Sequence, residues 1–328
     1  MRRRDLIRCL AGLSGVWLAP AVARGHPDFA RFLAELRREA RAMGISERVL
    51  ARALDGLDPL ERVLELDRRQ PEGRLAFRTY RSRVLTPERI SAGRERLARN
   101  RRLLATVRRR YGVPESVLVA LWGIETNYGR FTGGFPVIAA LATLAWDGRR
   151  GPFFRKQLLA ALRILEEGHV SLEDMQGSWA GAMGQPQFMP TTFLRFAVDG
   201  DGDGRRDIWN SLPDVFASMA HYLRRQGWRS GFRWGREVRL SRPPRESWLG
   251  LERREPLARW RARGVRRADG GPLPRAAVDA SLLMPDGPSG PAFLVYDNFR
   301  VLLKWNRSRY FALAVGLLAD AVGAPAHA

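Results

Sequence analysis

Residues 117–124, Val-Leu-Val-Ala-Leu-Trp-Gly-Ile, are apolar on nearly every face of a helix, and Glu125 follows at once. A helix that is apolar all round has to be enclosed by other elements. The chain must therefore build a core thick enough to surround one helix completely, and 328 residues suffice for that. Two further segments fit around such a helix. Residues 153–167 carry apolar side chains at 154, 158, 161, 162 and 165, and 308–322 close the chain with RYFALAVGLLADAV, apolar on most faces. FARFLAELRREARAMG, ISERVLARALDGL with Ser46 as N-cap, and residues 214–226 also read as helices. Residues 188–196 read as a shorter helix, and 86–110 as one long, basic, exposed helix with Pro87 just inside its start.

From Trp228 to about Ala292 the character changes. Pro, Gly and Arg become dense, the helical period fades, and pieces such as REVRL at 236–240 alternate like strands. This predicts a small β-rich insert in a mainly α chain, with no internal repeat.

The first 23 residues read differently. Arg2, Arg3 and Arg4 precede an uncharged, mostly apolar run from Cys9 to Ala23 that ends in Ala21-Val22-Ala23. Fifteen residues are too few to cross a bilayer, so the segment reads as a secretory signal peptide. Arg8 sits where a lipoprotein signal needs a small residue, so Cys9 is not read as a lipidation site. Removing 1–23 takes away the only cysteine, and with it disulfides, thiol catalysis and cysteine-held metals. It also takes four arginines and one aspartate from a net charge of +22, leaving +19. Such a charge suits an anionic partner. An even scatter of arginine with only two lysines, Lys156 and Lys304, equally suits a compositional bias. An exported chain without a recognition motif is not expected to bind nucleic acid.

Glu125 shares a helix face with Leu118, Leu121 and Trp122. Desolvation and the negative end of the helix dipole should both hold its proton on. A carboxylic acid that stays protonated near neutral pH is what protonates a leaving sugar oxygen in glycosidases. A core glutamate paired with an arginine fits the same pattern, and the residues alone leave both readings open. A second carboxylate, which ordinary glycosidases need, has no strong candidate. Asp147, Glu173 and Asp174 all fall in loop-like, charge-rich settings. Asp199, Asp201 and Asp203 alternate with glycine through Gly204, like the start of an EF-hand calcium loop. Arg205 at the seventh position would ligate through its carbonyl; Asn210 stands where an EF-hand has its bidentate glutamate.

ALWGIETNYGRFTG at 120–133 and GSWAGAMGQPQFMPTTF at 177–193, followed by DGDGDGRRDIWNSLPD, resemble the two signatures and the acidic loop of the lytic murein transglycosylase B family. The resemblance implies a lysozyme-like helical core with an EF-hand-like loop, an N-terminal helical domain and the small β-rich insert. The corresponding boundaries are 1–23 for the signal, 24–78 for the N-terminal domain, 79–228 plus 293–325 for the core and 229–292 for the insert. It implies cleavage of the MurNAc-β-1,4-GlcNAc bond of peptidoglycan without water, leaving a 1,6-anhydro end, with Glu125 as both acid and base. A single carboxylate suffices for that reaction. Matched positions imply substrate contacts at Tyr80, Ser178, Gln187, Tyr222 and Asn306. They also imply a structural calcium held by Asp199, Asp201, Asp203, Arg205 and, from the next helix, Asp214. No organic cofactor is implied. The expected location is the periplasm, and the expected partners are glycan strands and other cell-wall enzymes. A hydrolytic muramidase on the same fold and a non-catalytic peptidoglycan-binding relative are the competing readings.

Overall fold

The structure, a computed structural model, describes residues 27–69 and 75–324. The signal peptide expected at 1–23 lies outside the described residues. The N-terminal part holds α1 (Pro27–Ala42), α2 (Glu47–Leu54) and α3 (Glu61–Arg68). Ser46 caps α2 by accepting from the Val49 N–H, and donates in turn through its own N–H and Oγ to Glu166, at 2.9 and 2.7 Å. The cap therefore also ties this part to the core.

The core continues with α4 (Phe77–Val84), α5 (Pro87–Arg99), α6 (Arg101–Tyr111) and α7 (Glu115–Thr126). Val117 through Gly123 are all buried in α7, so the most constraining segment of the sequence is enclosed as its pattern requires. Leu118 and Leu121 are completely inaccessible, and burial of each contributes roughly 1.5–3 kcal/mol. Helix α7 packs against α14 (Arg309–Gly323), α5, α6 and α11 (Leu212–Arg225). Ser308 and Ser211 cap α14 and α11.

The long helix expected over 86–110 is two. At Asn100 the backbone leaves helical geometry (φ −99°, ψ 13°), and its Nδ2 donates to the Arg96 carbonyl at 2.9 Å. The break has a packing reason: α5 lies along α14 and α7, whereas α6 turns to lie on α11. The short helix expected from Phe188 starts only at Pro190, as α10 (Pro190–Phe196), because Phe188 exchanges backbone hydrogen bonds with Met183. The chain also contains a helix that periodicity did not single out, α8 (Val137–Asp147), buried from Val137 to Ala145 and packed on α9 (Gly151–Glu166). Two short strands, β1 (Phe135–Pro136) and β2 (Gln176–Gly177), pair just ahead of the second signature.

Trp228 leads into an antiparallel five-stranded sheet of β3 (Gly235–Leu240), β4 (Glu255–Pro256), β5 (Val265–Arg267), β6 (Asp279–Leu283) and β7 (Ala292–Val295), in the order β4-β6-β7-β3-β5. With α12 (Leu257–Ala262) it encloses a second small core around Trp260, Leu282 and Leu294. Helix α13 (Asp297–Trp305) then brings the chain back to the main core.

Candidate active site

Glu125 occupies the last turn of α7. The chain then turns sharply: Asn127, Tyr128 and Gly129 have φ of 50°, 63° and 80°. Gly129 is required there, since a Cβ would stand 2.4 Å from Gln185 Oε1 as well as face the left-handed strain. The Tyr128 hydroxyl donates to the Arg89 carbonyl at 2.7 Å, fastening the turn to α5.

Glu125 keeps part of its surface open to solvent, although protein atoms crowd around most of the side chain. Burial raises its pKa from 4.5 to about 7, against the opposing effect of a hydrogen bond from Trp305. Trp305 Nε1–H donates to Oε1 at 2.7 Å. Trp305 sits at the end of α13, edge-on to Tyr222 at 4.9 Å and tilted on Phe188 at 5.3 Å. The Tyr222 hydroxyl donates to the Lys304 carbonyl at 2.6 Å, fixing the backbone next to Trp305. The indole is thus held by two rings, one of them tied to the neighbouring backbone, while it holds the acid.

The other residues singled out by sequence fall as follows. Tyr80, half-buried against Tyr310, is within reach of Glu125: burial first, then the Glu125 charge, raises its phenol pKa. Ser178 Oγ accepts from the Ala182 N–H at 3.0 Å and retains its own proton to donate. Gln187, in left-handed geometry at φ 52°, donates through Nε2 to the carbonyls of Thr132 and Gly184, both at 2.9 Å, which leaves its Oε1 uncommitted by these bonds. Tyr222 is 8% exposed, with its ring inside the aromatic cluster and its hydroxyl committed to Lys304. Asn306 is exposed, and its Oδ1 caps the Ser308 N–H at 2.9 Å.

Two residues that the sequence reading did not name organise the site. One is Trp305, beside Asn306 in the same KWN segment. The other is Gln185, buried between the two signatures. Its Oε1 accepts from Trp122 Nε1 at 2.7 Å and its Nε2 donates to the Trp209 carbonyl at 2.7 Å, while its own carbonyl accepts from Thr126 Oγ1 at 3.1 Å. This one amide joins α7, the second signature and the end of the acidic loop. A glutamine inside an apolar stretch such as GAMGQPQF is the available signal, because a buried amide must find partners.

The three acidic residues weighed as a second carboxylate are engaged elsewhere. Asp147 meets Arg68 at 3.3 Å, Glu173 meets Arg52 at 2.7 Å, and Asp174 accepts from Ser171 Oγ at 2.7 Å.

In the acidic loop, oxygens of Asp199, Asp201 and Asp203 lie within 4.8 Å of one another. The nearest cation is Arg205, whose Nε is 3.7 Å from Asp203. Asp214, fully buried at the start of α11, accepts from the N–H groups of Gly200 and Asp207, both at 2.6 Å. Burial raises its pKa to about 6 against those two amide bonds, and the charges of Asp201 and Asp199 push the same way as burial.

A family model described as the transglycosylase SLT domain matches residues 28–320. SltB3 from Pseudomonas aeruginosa, solved in complex with NAG-anhNAM-pentapeptide, is 49% identical and superposes with a TM-score of 0.87, over 90% of this chain and 79% of that one. Slt35 from Escherichia coli, solved in complex with calcium, is 29% identical with a TM-score of 0.75, over 92% of this chain and 94% of that one. The membrane-bound lytic murein transglycosylase B of Escherichia coli (strain K12) is 30% identical over 249 residues, which are 75% of this chain and 67% of that protein. Fold, paired signatures and the half-enclosed acid at the end of a buried helix agree: the chain belongs to the lytic murein transglycosylase B family.

Proposed function

We propose that Glu125 alone performs both proton transfers by which this peptidoglycan lytic transglycosylase cuts its glycan strands at the MurNAc-β-1,4-GlcNAc bond. The observation that carries the reading is one carboxyl with a pKa near 7, gripped at one oxygen by an indole and paired with no cation among the described residues. Because Trp305 donates to Oε1, the transferable proton belongs on Oε2. That proton passes to the glycosidic oxygen as the bond from it to the muramyl C1 breaks. The substrate's own N-acetyl oxygen supports the positive charge at C1. The carboxylate, stabilised by the indole N–H, then takes the proton of the C6 hydroxyl as that oxygen bonds to C1. The product is a 1,6-anhydro end, and Glu125 is protonated again. Ser178, Gln187, Asn306 and Tyr80 would contact the sugars, and Tyr222 would act through Trp305.

Mass spectrometry of muropeptides released from purified sacculi tests this. Anhydro ends, one water lighter than reducing ends, are expected. Reducing ends would establish the hydrolytic reading instead, and no release would establish a binding protein.

Replacing Trp305 with Phe keeps the aromatic packing and removes the donor. The ionised form of Glu125 then loses a stabilising bond, so the pH at which activity falls off should rise by about one unit. Turnover at pH 6 should drop about tenfold, since the acid is no longer held in place. A pH–rate profile with an unmoved alkaline limb would reject the assignment.

The acidic loop fits a calcium ion. Its donors are all oxygen, three of them converge, and one guanidinium cannot neutralise them. Asp199, Asp201, Asp203, the Arg205 carbonyl and the lone pairs left on Asp214 would hold it, remote from proton transfer and in a structural role. Slt35, with calcium, is the relative that supports this. Saturating calcium should raise the melting temperature by several degrees, and replacing Asp199 and Asp203 by Ala should remove the rise. Equal melting in calcium and in chelator would overturn the site. The signal-like N-terminus supports export to the periplasm; among the described residues no helix is long and apolar enough to cross a membrane.

A further inference from the structure

At the opposite end of α7 from Glu125 lies a cavity of about 370 Å³. It is bounded by the end of α6, the first turn of α7, the segment 228–234 and the last turns of α14. Along the α7 axis it is about 14 Å from the acid, at 1.5 Å per residue from Ser116. Of the residues assigned to proton transfer, sugar contacts or the acidic loop, none lines it. Its volume falls in the range of small-ligand sites.

Its chemistry is lopsided toward donors. Arg108 and Arg233 both line it, as do the hydroxyls of Ser116 and Ser230. Trp228 also lines it, and its indole Nε1–H is buried with no hydrogen-bond partner among the described residues. That N–H is closed off from solvent and so from a ligand in the cavity, which leaves the two guanidiniums and the two hydroxyls as the side-chain donors a ligand meets. The first N–H groups of α7 point out of the helix start, where the dipole is positive. Two carboxylates face this end. Asp320 is already engaged by Arg233 at 2.8 Å and Trp234 Nε1 at 3.3 Å, and Glu115 stands 3.3 Å from Arg108. Phe232, 37% exposed, forms one rim and carries Arg229 over its ring at 4.3 Å. Gly112 shapes the other rim: at φ 73° it ends α6, and a Cβ there would meet Ser230 Cβ at 2.9 Å, so only glycine lets the two walls come so close.

We propose that this cavity binds a carboxylate of the peptide stems of peptidoglycan, anchoring the substrate polymer away from the point of cleavage. The proposal rests on the peptidoglycan substrate proposed above. A pocket of this size with two guanidiniums in its wall suits a carboxylate, which can accept charge-assisted bonds from them, better than a neutral sugar.

The test uses the full chain with Glu125→Gln, which binds without cutting. The probes are a synthetic stem tetrapeptide with free carboxylates, the same peptide with every carboxylate amidated, and a stem-free N-acetylglucosamine oligomer, each titrated by calorimetry. The free peptide should bind at least tenfold more tightly than the amidated one. Arg108→Gln and Phe232→Ala, both at exposed side chains, should each weaken the free peptide at least fivefold and leave the sugar oligomer unchanged. In the active background, the same two variants should cut a glycan whose stems are fully amidated within twofold of the parent. Equal affinity for free and amidated peptide, peptide binding untouched by both variants, or loss of the sugar oligomer in their place would overturn the proposal. Product analysis on glycan with amidated stems is independent of all these titrations, so failure of the pocket and failure of the proposed chemistry give different results.

Discussion

Glu125→Gln should abolish turnover and, above neutral pH, make the protein more stable. The amide keeps the shape of the side chain, and its Oε1 can still accept from Trp305, but it can neither give nor take a proton. General acid–base catalysis is worth about 10²–10⁴-fold per role, and here one group fills both roles. Release from sacculi should fall at least a thousandfold. The stability effect follows from the raised pKa. Glu125 shifts from 4.5 to about 7 on burial, so the folded state holds this proton more tightly than the unfolded chain does. That stabilisation is complete below pH 4.5 and is lost as the pH rises through 7. At about 1.4 kcal/mol per unit, and allowing for the open edge of the site, ionisation costs the folded protein about 2–3 kcal/mol above pH 8. Glutamine does not ionise. The melting curves of parent and variant should therefore coincide near pH 4.5 and separate by roughly 5 °C at pH 8, with the variant higher. Activity of the variant above a tenth of the parent, or melting curves that stay together at pH 8, would remove Glu125 from its assigned role.

Much of this site is legible in the sequence, for identifiable reasons. The apolar run 117–124 can only be buried, and the position of Glu125 immediately after it fixes a carboxyl at the mouth of a core; both facts are local. The acidic loop is equally local, since its alternating aspartates have to converge in any compact turn. What could not be read locally depends on pairs far apart in the chain. Trp305 reaches Glu125 across 180 residues, and Gln185 reaches Trp122 across 63. Nothing in the KWN segment signals that its tryptophan, rather than its asparagine, meets the acid. The break at Asn100 has the same origin: residues 86–110 have an uninterrupted helical composition, and only the different positions of α11 and α14 oblige the chain to turn. Helix α8 is legible by the same argument as α7, since it too is apolar on nearly every face and buried from Val137 to Ala145.

The division of 86–110 into two helices also sharpens what the positive charge can do. Along α5, Arg99 is paired with Glu95 at 2.5 Å, and Arg94 donates to the Ala321 carbonyl. These side chains are largely committed. On α6, Arg101, Arg102, Arg109 and Arg110 are exposed, and none forms an ion pair among the described residues. Within 86–110 the uncommitted charge therefore lies mainly on α6, next to the cavity lined by Arg108. Peptide stems carry carboxylates, whereas the glycan backbone is neutral. Long-range attraction should bring sacculi to the protein, and the chemistry at Glu125 should be indifferent to it. The Debye length shrinks from about 10 Å at 0.1 M salt to about 3 Å at 1 M, shorter than the spacing between exposed guanidiniums and stems in an encounter. Sacculus binding should fall at least tenfold over that range, while turnover of a short glycan with uncharged stems should change less than twofold. Replacing Arg101, Arg102, Arg109 and Arg110 together by Gln should reduce the salt dependence without lowering turnover of the glycan with uncharged stems. These side chains are exposed and reach solvent, so their removal leaves no buried partner unsatisfied. If sacculus binding is flat from 0.1 to 1 M salt, the arginine excess is a compositional bias with no part in substrate capture.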